Sequence, residues 1–107
     1  MYISIRHYKE VESPKDVTAA VNEKFFPLVS KVPGFLVYYG IETGDHSWAS
    51  VNIFESPEGA KESTKLGLNF AKDLGITSAP EIIAATLVSA TAIDDVDKVM
   101  REFAKSL

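Results

Sequence analysis

The amino-acid sequence predicts an α+β fold: a four-stranded antiparallel sheet with two helices on one face, in the order β-α-β-β-α-β, followed by a further helix. Three observations predict it. Short runs rich in β-branched and aromatic residues alternate with longer runs whose apolar residues recur every three or four positions. The two central β-rich runs are separated only by Thr43-Gly44-Asp45-His46, a hairpin connection. The chain also echoes itself, since Glu12-Ser13-Pro14 recurs as Glu55-Ser56-Pro57, each time between a strand and a helix.

Each element has its own signals. Tyr2 to Val11 is rich in strand-forming residues. Ser13-Pro14-Lys15-Asp16 starts a helix: Ser13 caps, Pro14 fits the first helical position and Asp16 suits the positive end. Val17, Val21, Phe25, Leu28 and Val32 form its apolar stripe. Pro27 lies within that stripe and lacks a backbone donor, so a kink or break is expected near Glu23–Lys24. Pro33-Gly34 ends the helix. Phe35 to Glu42 and Ser47 to Glu55 are the second and third strands. Ser56-Pro57-Glu58 repeats the helix start, Ala60, Thr64, Gly67, Phe70, Ala71 and Leu74 form the second stripe, and Gly75 stops it. After a loop from Gly75 to Glu81, Ile82 to Ala90 reads as a strongly apolar fourth strand. Asp94 and Asp95 open a last helix with Val96, Val99, Met100, Phe103 and Leu107 on one face; Lys98, Arg101 and Lys105 further along match the helix dipole. The order is the ferredoxin-like arrangement. It makes one domain over 1–107, with a core at 1–90 and a C-terminal helix at 94–107.

Composition narrows the function. In 107 residues there is no cysteine, which excludes a disulfide scaffold, a thiolate metal site and a cysteine nucleophile. The net charge of −4 argues against a nucleic-acid surface. No apolar run is long enough to span a membrane, and the N-terminus reads as a strand rather than a leader, so a soluble, cytoplasmic protein is expected. The acidic trio Asp94, Asp95 and Asp97 is explained by dipole compensation, and no metal-ligand spacing, nucleotide loop or Ser/His/Asp pattern occurs.

Strand parity raises the question of a partner. If the internal repeat aligns Ile5 with Trp48, then Ile3, Ile5, His7, Trp48, Ser50, Asn52 and Phe54 share one face, and Tyr2, Arg6, Tyr8, Ala49, Val51 and Ile53 the other. Neither set is polar enough to meet water across a whole sheet. Two helices cover one face, so a symmetric second copy is the economical cover for the other. On that reading Arg6 is an interface contact or an ordinary surface arginine.

Three stretches carry a family likeness: the strand pattern of Tyr2–Val11, Lys31-Val32-Pro33-Gly34-Phe35, and Phe54-Glu55-Ser56-Pro57-Glu58-Gly59-Ala60. On these the sequence resembles the dimeric α/β-barrel superfamily, and within it the antibiotic-biosynthesis-monooxygenase-like group, over nearly all of 1–90. The resemblance implies a homodimer whose two sheets close into a barrel, with a small cavity between sheet and helices in each subunit. Members include cofactor-free oxygenases of polyaromatic phenols, haem-degrading oxygenases and small proteins without assigned activity. The haem branch places an Asn on the first strand, a Trp at the end of the third and a His on the second helix. Here Ile5, Phe54 and Thr64 stand in those positions, so haem degradation of that type is rejected and no cofactor is expected.

Two readings follow. In the first, the chain is a cofactor-independent, monooxygenase-like enzyme for a small hydrophobic or aromatic molecule. His7 would then be the general base, Asn52 the polar anchor, Tyr39, Trp48 and Phe54 the walls, and Ser50 part of the same surface. The plainer account of His7 is a strand histidine bonded to a backbone carbonyl or a neighbouring side chain. In the second reading, the same homodimer binds a small ligand without turnover, or only dimerises. An interior filled by Trp48, Phe54, Phe70 and Leu74 would favour it.

Overall fold

A computed structural model describes residues 1–89 and Lys105. The C-terminal helix expected at 94–107 lies outside the described residues. Four strands, β1 (Tyr2–Tyr8), β2 (Phe35–Gly44), β3 (Ser47–Phe54) and β4 (Glu81–Thr86), form one antiparallel sheet in the spatial order β2-β3-β1-β4. Helices α1 (Pro14–Ala20), α2 (Phe26–Val29) and α3 (Pro57–Asp73) supply its cover. No helix among the described residues is long and apolar enough to cross a membrane.

The local signals act where the sequence places them. Ser13 caps α1, its hydroxyl accepting from the Asp16 amide at 3.4 Å, and Pro14 follows in the first turn. The break expected near Glu23–Lys24 is a π-helical turn, Val21–Phe25, which hands over to α2 with Pro27 in its first turn. That wider turn shifts the phase of the buried face by one residue. Val29 is therefore fully buried and Leu28, expected in the stripe, is 50% exposed. The hairpin closes tighter than expected, through Asp45-His46 alone, with irregularities in β2 near Leu36 and Thr43. Gly75 ends α3 with φ at +84°, the left-handed conformation glycine tolerates best.

The faces of β1 differ from the expectation. Tyr8 pairs with Trp48, Arg6 with Ser50 and Ser4 with Asn52, in an unbroken register. Ser4, Arg6 and Tyr8 therefore face the helices together with Trp48, Ser50, Asn52 and Phe54, and all seven are buried. Ile3, Ile5 and His7 lie on the opposite face with Ala49, Val51 and Ile53. The alignment of Ile5 with Trp48 misleads because the two halves differ in connection length. Four residues, Lys9–Glu12, separate β1 from the Ser13 cap, whereas only Glu55 separates β3 from Ser56. An odd difference exchanges the two faces of a strand. The longer connection is itself tied down: the Val11 amide donates to the His46 carbonyl at 2.9 Å, and the His46 ring bonds the Val11 carbonyl through Nδ1 at 3.2 Å.

The open face of the sheet is apolar. The register adds Val37, Tyr39 and Ile41 from β2 and Ile83 and Ala85 from β4 to the β1 and β3 residues there. Tyr39, Ile41 and Ile83 are 40%, 43% and 60% exposed. β4 is an edge strand, exposed along its whole length.

Candidate functional site

Arg6 is the residue around which the interior is organised. It is 1% exposed, in mid-strand, directly under α3. Its Nη1 donates to Ser63 Oγ at 3.2 Å, Thr64 Oγ1 at 3.4 Å and Ser4 Oγ at 3.5 Å, and its Nη2 donates to Asn52 Oδ1 at 3.4 Å. Every partner is a neutral oxygen, and no distance reaches the roughly 2.7–2.9 Å usual for a guanidinium on a carboxylate. Nε is buried with no partner. Among the described residues no carboxylate pairs with this charge; the ion pair found there, Lys9 with Glu81, lies at the exposed end of β1 and β4. Gly67 makes the arrangement possible, since a Cβ there would stand 2.8 Å from Arg6 Nη2.

Asn52 holds the arginine in place. Its Oδ1 accepts from Arg6 and from Ser63 Oγ at 3.1 Å, and its Nδ2 donates to Ser50 Oγ at 3.2 Å and to the Ser4 carbonyl at 3.4 Å. The amide has no capacity to spare, and it is completely buried. It therefore acts here by orienting Arg6 and Ser50.

Beside the guanidinium lies a cavity of about 20 Å³, between the sheet, α1 and α3. Arg6, Tyr8, Tyr38, Trp48 and Ser50 form its sheet side, and Phe25, Phe70 and Ala71 are among the residues closing it. Val17, Leu74 and Ile76 line both this cavity and a larger outer groove of about 450 Å³, where Glu10, Glu12 and Asp16 stand. Phe25 fixes the aromatic wall, with ring centroids 5.6 Å from Tyr38 and 5.1 Å from Phe70. Trp48 is pinned by its indole N–H, which donates to Thr18 Oγ1 at 3.1 Å, and its ring lies over Gly40. Burial pushes the Tyr8 and Tyr38 phenols above their usual range, with the Arg6 charge pulling the other way. Both phenols are therefore neutral hydrogen-bond donors at pH 7.

The residues singled out from the sequence divide. Trp48 and Ser50 line the cavity. Asn52 is one hydrogen bond behind it. Phe54 is fully buried outside it, packed edge-on to Phe35 at 5.9 Å. His7 and Tyr39 are on the open face, away from all of these; the His7 ring bonds Thr43 Oγ1 through Nε2 at 3.3 Å. Arg6, Tyr8 and Tyr38 in the cavity and Ser4, Ser63 and Thr64 in the network are residues the pattern did not select as a site. The signal that could have found Arg6 is an arginine in mid-strand, between Ile5 and His7, whose cross-strand neighbours Ser50 and Ile82 include no acidic residue.

No protein-family model and no curated protein matches the chain. Solved structures do. The ActVA-Orf6 monooxygenase of Streptomyces coelicolor, in complex with nanaomycin D, superposes with a TM-score of 0.67 at 12% identity, covering 87% of this chain and 92% of that one. SnoaB, a cofactor-independent oxygenase of Streptomyces nogalater, gives 0.65 at 14% identity over 83% of this chain and 94% of its own. The chain shares the fold of these two proteins. A protein of unknown function from Nitrosomonas europaea matches as well as either, with a TM-score of 0.67 at 12% identity over 86% of this chain and 93% of that one. Identities this low establish the architecture, and the chemistry has to be argued from this chain's own residues.

Proposed function

We propose that this chain is a cofactor-independent, monooxygenase-like protein acting on a small hydrophobic, aromatic molecule with an ionisable oxygen. The observation that carries the reading is Arg6: a permanent charge, buried with no carboxylate paired to it among the described residues, at one end of an aromatic-walled cavity. A buried guanidinium with only long, neutral partners is held ready for negative charge that arrives with a ligand. In this role Arg6 stabilises the oxyanion formed when a phenol or enol loses its proton. Asn52 is the positioning residue behind it, and Tyr38 and Trp48 face the ring. The anion then gives four electrons to O2: a ring C–H and the O–O bond break, one oxygen atom becomes a new carbonyl, and the other leaves as water with the C–H hydrogen and the phenol proton returned from solvent, so no external reductant is needed. A ring-sized ligand needs more than about 20 Å³. Room comes from outward movement of Leu74 and Ile76, which separate the cavity from the outer groove and flank Gly75.

The apolar open face completes the proposal. Its band of Val, Ile, Tyr and Ala residues suits a second copy of the chain packed sheet to sheet, giving a homodimer.

A second reading has its own support. The cavity is small, and among the described residues its lining contains no carboxylate, histidine or lysine to take a proton. That favours a module that binds a small anionic ligand, or only dimerises, without turnover. Oxygen uptake against a panel of phenols and hydroxyquinones separates the two. Uptake lost in Arg6→Met and reduced in Asn52→Ala supports the enzyme. Equal uptake in all three removes the site assignment, and ligand-dependent change in Trp48 fluorescence without uptake supports the binding module.

A further inference from the structure

The geometry points to a resident small-anion site: in the absence of any organic ligand, the Arg6 cavity takes up one monovalent anion of halide size as counter-ion to the guanidinium. The inference rests on the same cavity as the proposed function but on no turnover.

Three observations converge. The first is the Arg6 charge, which no carboxylate among the described residues offsets, since a guanidinium cannot shed its proton and a buried ion without a counter-ion costs several kcal/mol. The second is the set of donors around the space. Arg6, Tyr8, Tyr38 and Ser50 all line it. Ser50 Oγ accepts from Asn52 and stands within hydrogen-bonding reach of the Tyr38 phenol, so the Asn52, Ser50 and Tyr38 groups form a relay that ends in a proton turned inward. Both phenols keep their protons, and Arg6 Nε has no other partner. No acidic side chain among the described residues lines the cavity, so nothing there offsets the Arg6 charge, and the hydroxyls can turn their protons inward. The third is size. As it stands, about 20 Å³ admits one water or one halide ion, and a larger anion enters only with the outward movement of Leu74 and Ile76. Water would satisfy the hydroxyls but leave the charge; an anion satisfies both.

Trp48 lines the cavity, is 3% exposed and is the chain's single tryptophan, so its fluorescence reports occupancy. Bromide, a heavy-atom quencher, is titrated at constant ionic strength against gluconate, an anion too large to enter. Wild type is expected to show saturable quenching, competed by chloride. Tyr38→Phe and Ser50→Ala, each missing one donor, shift the midpoint about fivefold upward, the effect of one neutral hydrogen bond. Arg6→Met shows only the linear quenching of a buried indole. Linear quenching throughout in wild type overturns the site, as does a saturation midpoint unchanged in Tyr38→Phe and Ser50→Ala, which remain informative if Arg6→Met fails to fold. Saturable quenching without oxygen uptake upholds the anion site and removes the enzyme; uptake without saturable quenching does the reverse.

Discussion

Replacing Arg6 by methionine should leave the protein as stable as before, or make it more stable. Methionine keeps the length of the stem and removes the charge. What is lost is four hydrogen bonds of 3.2–3.5 Å to neutral oxygens, each contributing about 1 kcal/mol or less at such lengths. What is recovered is the desolvation of a fully buried ion, several kcal/mol. The groups left behind still satisfy one another: Ser63 donates to Asn52 at 3.1 Å, Asn52 to Ser50 at 3.2 Å, and Ser4 and Thr64 share a bond at 3.2 Å. The balance lies between about 0 and +3 kcal/mol, and each kcal/mol raises Tm by roughly 4–8 °C in a domain of this size. Arg6→Lys keeps the buried charge and loses the planar fork, so it should be less stable than Arg6→Met. Thermal and urea unfolding in halide-free buffer, at one fixed protein concentration, measures all three. A loss of more than about 2 kcal/mol in Arg6→Met would mean that the arginine is a structural keystone, and the reasoning from an uncompensated charge would fail.

Further expectations follow from the same contacts. Gly67→Ala places a Cβ 2.8 Å from Arg6 Nη2; overpacking of about 1–3 kcal/mol should outweigh a helix-propensity gain of about 1 kcal/mol. In the Arg6→Met background the same substitution should become neutral or stabilising, which a double-mutant cycle by urea unfolding detects. Tyr38 has its phenol pKa raised above 10.0 by burial. The folded state thus holds this proton more tightly than the unfolded chain. Its contribution is complete below about pH 10 and is lost as pH rises from there through the folded value. Tm of the wild type should therefore fall in that alkaline window, and that of Tyr38→Phe should fall less. Val51 lies at the centre of the open face, and Val51→Arg should convert a dimer at micromolar concentration into a folded monomer by light scattering. A wild-type monomer at that concentration would remove the dimer.

Much of the fold is legible in the sequence because its signals are local. Ser13-Pro14 and Ser56-Pro57 start helices, Gly75 ends one, and Pro27 marks the break that the π turn occupies. Facing is harder to read, because it depends on register. The repeat of Glu-Ser-Pro aligns helix starts, but the strands end at different distances before them, and that difference alone moves His7 out of the interior and Arg6 into it. The third strand carries no such ambiguity, so Trp48, Ser50 and Asn52 are placed with the helices as the sequence predicts. Tyr38 and Tyr39 are exchanged for a related reason: the irregularity near Leu36 shifts the alternation of β2 by one. Ser63 is invisible to an apolar-stripe argument because it is buried to bond Arg6 and Asn52, which the sequence does not place beside it.

The central claim is that Arg6 receives an ionised oxygen in an aromatic cavity, and a nitrophenol tests it by colour. Bound beside an uncompensated guanidinium, the phenol ionises more readily than in water, because the positive charge favours its anion. Titration with wild-type protein at a pH where free nitrophenol is mostly neutral should produce the phenolate absorption band, and Arg6→Met should not. No phenolate band with wild type, or the same band with Arg6→Met, would contradict the account.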